Sequence, residues 1–162
     1  MLDFVFNSDS LYENLRILKH SYPFIQSGYI GKSVLGKNIP FIRLGNGSKE
    51  VFYNASFHAN EWITSSLVMK FVEDFCRAYV NNSSIFGYSA DYIFNTTSIY
   101  IVPMVNPDGV DLVTGSISTG SSVYANCKRI ADNFPDVPFP SGWKANINGV
   151  DLKNFQPLCK VL

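Results

Sequence analysis

A change of hydrophobic period between residues 50 and 63 constrains this chain more than any other feature. Residues 50–57 read as a strand. From Glu61 the spacing becomes helical, with Ile63, Leu67, Phe71 and Phe75 forming an apolar stripe flanked by Val68 and Val72 that ends near Tyr79. His58 and Glu61 stand at the changeover, three residues apart.

Other segments follow the same alternation. Leu11, Leu15, Leu18 and Tyr22 recur at helical intervals up to Pro23, so residues 9–21 are expected to be an amphipathic helix opened by a capping box at Ser10 and Glu13. His20 falls in its last turn, where positive charge suits the helix dipole. Strand-like runs cover 25–33, 38–44 and 50–57. Asn46-Gly47 reads as a type I′ turn and Leu35-Gly36-Lys37-Asn38 as a similar one, which predicts three antiparallel strands. Residues 98–105 read as a buried strand, 121–133 as a helix and 135–141 as loop. This order argues for an α/β fold, a mixed β-sheet flanked by helices. No glycine-rich phosphate loop follows any strand.

Composition narrows the possibilities. The 162 residues are 46% apolar and 16% charged, enough for one domain with a core. Thirteen basic and thirteen acidic residues cancel, leaving no broad field to draw in nucleic acid or an anionic membrane. No apolar stretch could span a bilayer, and the start lacks a secretory pattern, so a cytoplasmic location is expected. Cys76, Cys127 and Cys159 are odd in number and widely spaced, as expected of free packing thiols.

A neutral imidazole and a carboxylate suit zinc, and a catalytic zinc takes three protein ligands and a water. His58 and Glu61, three apart where strand gives way to helix at the C-terminal edge of the sheet, can aim at one ion. Taken alone, the spacing describes a surface histidine and a first-turn glutamate more often than a metal pair.

The surrounding motifs change that balance. His58-Ala59-Asn60-Glu61-Trp62-Ile63-Thr64, Pro103-Met104-Val105-Asn106-Pro107-Asp108-Gly109-Val110, Trp143-Lys144 and Gly149-Val150-Asp151-Leu152 occur in the order found in the zinc carboxypeptidase family, carboxypeptidase A type. Within that family the chain most resembles bacterial enzymes that cut γ-D-glutamyl to meso-diaminopimelate bonds in cell-wall peptides. That likeness rests on Ile30 to Gly36, Val51 to Asn54 and Ser141 to Asn146, and runs from about residue 8 to 152. It implies a zinc-carboxypeptidase-like fold, a zinc cofactor held by His58 and Glu61, and a peptide substrate in a spore or cell-wall setting. It makes Asp151 the carboxylate that orients His58, although an ordinary turn aspartate after Gly149 fits the same residues. It makes the loop bearing Asn106 and Asp108 a support beside the site. Lys144 becomes a donor to the scissile carbonyl where the family has arginine; a solvated surface lysine is the alternative.

Two departures from the family pattern bear on activity. The Asn-Arg pair that holds a terminal carboxylate is missing from Asp151-Leu152-Lys153-Asn154-Phe155, which favours an endopeptidase or an altered specificity. The resemblance also implies a third zinc-binding histidine and a catalytic glutamate from the domain's second half, yet no histidine follows His58, and Lys153 to Leu162 cease to resemble the family. Residues 1–162 are therefore expected to be a truncated N-terminal part of the catalytic domain, with an exposed apolar sheet edge. Two readings stand: a zinc-dependent metallopeptidase, or a catalytically inactive domain lacking the third ligand and the catalytic glutamate.

Overall fold

The computed structural model describes residues 5–153. Helix α1 (Ser8–Ser21) precedes strands β1 (Gln26–Lys32), β2 (Asn38–Leu44) and β3 (Lys49–Asn54). A short 3-10 turn, Ala59–Glu61, leads into α2 (Ile63–Val80). The small strands β4 (Ser84–Ile85) and β5 (Tyr88–Ser89) precede α3 (Ala90–Thr96), β6 (Thr97–Val102), α4 (Pro107–Val113) and α5 (Ser122–Ala131).

Helix α1 buries Leu11, Leu15 and Leu18 and carries Lys19 and His20 in its last turn, as its spacing requires. Its cap differs from the expectation. The Asn7 side chain accepts from the Ser10 amide at 2.8 Å, and Glu13, instead of closing a capping box, forks onto Arg16 at 2.6 and 2.8 Å.

The sheet order is β1-β2-β6-β3. Strands β1 and β2 form the expected antiparallel hairpin, with Gly36 in the left-handed region at φ +81. The second expected hairpin does not form. Strand β6 inserts between β2 and β3, antiparallel to the first and parallel to the second, so the sheet is mixed. The Gly45-Asn46-Gly47 segment passes against the start of β6: Gly45, at φ +83, takes the left-handed conformation, and a Cβ on Gly47 would lie 1.8 Å from the Thr96 carbonyl carbon. The glycines that suggested a turn serve close backbone approach. Local residue types reveal glycine's freedom but not which backbone demands it.

Period-two alternation puts Ile42, Leu44, Ile99 and Ile101 on one face, where they join the α1 leucines and Met69, Val72, Phe75 and Cys76 of α2 in the main core. Burial pushes the Cys76 thiol up to about 12, so it stays protonated and inert at neutral pH. Cys127 is buried in a second cluster with Ala59, Leu112, Trp143 and Ile147; Cys159 lies outside the described residues. Among the described residues no helix is long and apolar enough to cross a membrane.

Among the described residues β3 pairs only with β6, which leaves an open edge. Tyr53, on the Ile101 face, borders an apolar hollow of about 290 Å³ with Leu67, Val68, Phe71 and Phe86. Leu67 is 70% and Phe86 83% exposed, an apolar surface of the kind the sequence led us to expect.

Two outcomes follow from this packing. Gly47→Ala should cost about 3 kcal/mol or more, because backbone must move to admit the methyl, whereas Gly36→Ala, facing open space, should cost about 1–2 kcal/mol through its dihedral alone; urea midpoints measure both. Sedimentation velocity should show concentration-dependent self-association of the chain that a Leu67→Glu, Phe86→Ser double variant reduces.

Candidate metal centre

The parallel pairing of β3 and β6 brings their carboxyl ends together, and the segments leaving them stay bonded. The Ala55 amide donates to the Val102 carbonyl at 3.0 Å, the Val105 amide to Ala55 at 3.0 Å, and the Asn106 amide to Ser56 at 3.1 Å. Strand β3 ends at Asn54, four residues before His58, earlier than the hydrophobic run implied. The chain turns at Ser56, a buried serine in the left-handed region at φ 50. That conformation costs an L-residue about 1–2 kcal/mol. It also breaks the strand's alternation and carries His58 out past the sheet edge.

His58 is pinned on both sides through its neighbours. The Asn106 side chain, 3% exposed, donates to the carbonyls of Phe57 at 3.3 Å and Ala145 at 3.1 Å, while its oxygen accepts from the Gly109 amide at 3.1 Å. The Ala59 amide donates to the Lys144 carbonyl at 3.0 Å, and the Ala59 methyl is buried in the second cluster. Residues 103–109 are thus more than the tight turn that their sequence suggests. Asn106 caps α4 with Pro107 in its first turn, an arrangement both residues favour.

Glu61 closes the 3-10 turn, its amide bonded to the His58 carbonyl at 3.1 Å. Its own carbonyl accepts from Thr64 Oγ1 at 2.7 Å and Ser56 Oγ at 3.3 Å. With the backbone so held, His58 Nδ1 and Glu61 Oε1 approach to 3.0 Å. The other ring nitrogen, Nε2, faces Asp151 Oδ1 at 3.5 Å, longer than a well-formed hydrogen bond. Asp151 is delivered by the turn over 146–150, where the Asn146 side chain accepts from the amides of Asn148 and Val150 and Gly149 takes φ +79. The His58 side chain is 13% exposed against 51% for Glu61 and 40% for Asp151.

The donor set can be tested against zinc. Two ligand atoms on one tetrahedral ion at usual bond lengths stand about 3.4 Å apart. Nδ1 and Oε1 at 3.0 Å need to open by only a few tenths of an ångström, and the carboxylate on the far nitrogen is the partner that a metal-bound imidazole requires. His58 and Glu61 therefore fit as two ligands. Among the described residues no group of three or more histidines, cysteines, aspartates or glutamates could hold an ion together.

The remaining sequence candidates separate by role. Lys144 is exposed, and its main chain, through the Ala59 bond, is what ties it to the site. Asp108 is buried and accepts from Ser33 Oγ at 2.9 Å and the Leu35 amide at 2.8 Å, fastening the β1–β2 hairpin to α4. Sequence reasoning missed Asp111, which accepts from the Ser8 amide and hydroxyl at 2.9 and 2.7 Å and pairs with Lys37. It also missed the hydroxyl cluster Ser56, Thr64 and Ser65. The hydroxyl-rich Thr64-Ser65-Ser66 run at the start of an otherwise apolar helical stripe was the available signal.

Known proteins resemble this chain in sequence and in fold. A sequence model described as zinc carboxypeptidase matches residues 11–156. The chain is 47% identical over 144 residues to gamma-D-glutamyl-L-diamino acid endopeptidase 1 of Lysinibacillus sphaericus, covering 89% of this chain and 36% of that protein. It is 38% identical over 160 residues to the uncharacterized protein YqgT of Bacillus subtilis strain 168, covering 97% and 42% respectively. In three dimensions it resembles bovine thrombin-activatable fibrinolysis inhibitor, solved with a tick carboxypeptidase inhibitor, with a TM-score of 0.60 at 18% identity over 88% of this chain and 37% of that one. That likeness establishes the fold. The chain spans about two fifths or less of the length of these relatives.

Asn106→Ala should lower stability by roughly 2–3 kcal/mol in urea denaturation, because the Phe57 and Ala145 carbonyls and the Gly109 amide lose one shared partner in a buried position. Asn106→Asp should be no better, since a carboxylate cannot donate to either carbonyl.

Proposed function

Because the chain belongs to the zinc carboxypeptidase family, we propose that it supplies two of the zinc ligands of a metallopeptidase, His58 and Glu61, with Asp151 orienting the histidine. The observation that carries this reading is the sandwiching of one imidazole, with Nδ1 at 3.0 Å from Glu61 and Nε2 at 3.5 Å from Asp151. A ring flanked in this way keeps Nδ1 available to a metal while its other nitrogen faces a carboxylate that orients it.

When bound, zinc polarises a carbonyl and lowers the pKa of its water. The residues of this chain hold the histidine ring in one orientation, present one carboxylate beside it, and offer Lys144 as a donor toward a carbonyl oxygen bearing developing charge. The point charge of lysine lacks the fork of arginine, so it steers a carbonyl without a bidentate grip.

The substrate we propose is a peptide, specifically a cell-wall peptide cut at a γ-D-glutamyl-diaminopimelate bond. The support is the 47% identity to the Lysinibacillus endopeptidase. We further propose that these residues form the N-terminal part of the catalytic domain. Two ligands leave zinc weakly bound and the hydrolytic machinery incomplete, so the chain by itself has no peptidase activity.

Zinc titration followed by calorimetry should show weak binding that His58→Ala abolishes and Asp151→Asn weakens about 10- to 100-fold. Hydrolysis of a γ-D-glutamyl-diaminopimelate peptide should be undetectable with the chain alone. It should appear when the chain is extended with the Lysinibacillus sequence beyond the matched region. Cleavage by the monomeric chain alone would refute the incomplete-site reading, and zinc binding unchanged in His58→Ala would refute the metal assignment.

A further inference from the structure

Among the described residues other than glycine with positive φ, Ser56 is the buried one. It sits in the left-handed region at φ 50, where glycine is at ease and a serine is strained, and it is only 2% exposed. Each of its polar groups has a partner. The amide donates to Thr64 Oγ1 at 3.0 Å, the carbonyl accepts from the Asn106 amide at 3.1 Å, and the hydroxyl lies 2.6 Å from Ser65 Oγ and 3.3 Å from the Glu61 carbonyl. Backbone geometry at this position calls for glycine, but glycine would supply only the first two of these bonds. The amide already ties the exit of β3 to Thr64 in the first turn of α2; the hydroxyl adds a bond to Ser65 and a direct one to the carbonyl of Glu61.

This placement has a directional consequence. His58 is fixed from the β6 side, through Asn106 at Phe57 and through Lys144 at Ala59, whereas Glu61 is exposed and its side chain is not packed in the core. Its backbone is held at the amide by the His58 carbonyl at 3.1 Å and at the carbonyl by the hydroxyls of Ser56 and Thr64. Thr64 belongs to the same helix as the turn it supports, so it moves with that helix. Ser56 belongs to the strand exit, and its hydroxyl reaches the Glu61 carbonyl directly from there, adding to the backbone bond of the turn between Glu61 and His58.

We infer that Ser56 is a positioning residue, its buried hydroxyl setting Glu61 at ligand distance from His58 at the expense of backbone strain. The inference rests on the metal reading of His58 and Glu61 and adds to it the device that holds the pair in register. It also distinguishes two properties that a structural serine would keep together, since loss of the hydroxyl loosens the pair while loss of the Cβ relaxes the backbone.

The full chain, wild type and with Ser56→Gly or Ser56→Ala, is compared by urea denaturation, by titration with Zn²⁺ alone, and by NMR contacts between the His58 and Glu61 side chains in metal-free protein. In Ser56→Gly the urea midpoint should hold or rise, while zinc affinity falls about 10-fold and the His58–Glu61 contact weakens. Ser56→Ala should lose both affinity and midpoint. Unchanged affinity and contact in the two variants would overturn the inference, as would an affinity loss confined to Ser56→Ala in step with its lost stability. If wild-type protein binds no zinc, the metal reading fails, and the metal-free contact alone then decides whether Ser56 positions the pair.

Discussion

The parallel pairing of β3 with β6 is the interaction on which the rest of the structure depends. Antiparallel neighbours would send the two segments leaving them to opposite ends of the sheet. Here both emerge at one end and remain hydrogen bonded through Ala55, Val105 and Asn106. One exit carries His58 and Glu61; the other caps α4 through Asn106 and thereby grips the Lys144–Ala145 segment that precedes Asp151. Three stretches remote in sequence are bound at a single point, and His58 and Glu61 lie there.

Buried polar residues do most of the positioning, each with its hydrogen-bonding capacity used. Asn106 joins three segments, and Asp108 and Asp111 fasten the β1–β2 hairpin and the start of α1 onto α4. Interior groups of this kind are stable only when satisfied, and partial loss leaves an expensive orphan. The site is correspondingly less buried than its supports. Glu61 and Asp151 remain substantially exposed.

The same architecture leaves an apolar face at β3, with Tyr53, Leu67 and Phe86 around an open hollow. His58 and Glu61 follow the end of β3 in the chain. Among the described residues, β3 is supported from the β6 side and has no strand on the other.

Periodicity made α1 and α2 legible as helices and the apolar run of β6 as a strand, and Leu35-Gly36-Lys37-Asn38 marked the first hairpin. The buried face of α2 differs from the expected stripe: Ile63 and Leu67 are exposed while Met69, Val72, Phe75 and Cys76 are buried. The ordered motifs likewise pointed to His58, Glu61 and Asp151, which the fold brings together. Strand order was not legible: Gly45-Asn46-Gly47 has the composition of a hairpin turn, and only the arrival of β6 fifty residues later turned it into a close crossing. Nor was α4, whose seven residues are too few for periodicity and depend on the Asn106 cap, or the strained Ser56, whose φ has no signature in a serine. Local propensity is set by neighbours along the chain, whereas register, strain and the closing of a site are set by groups that meet only once the chain has folded.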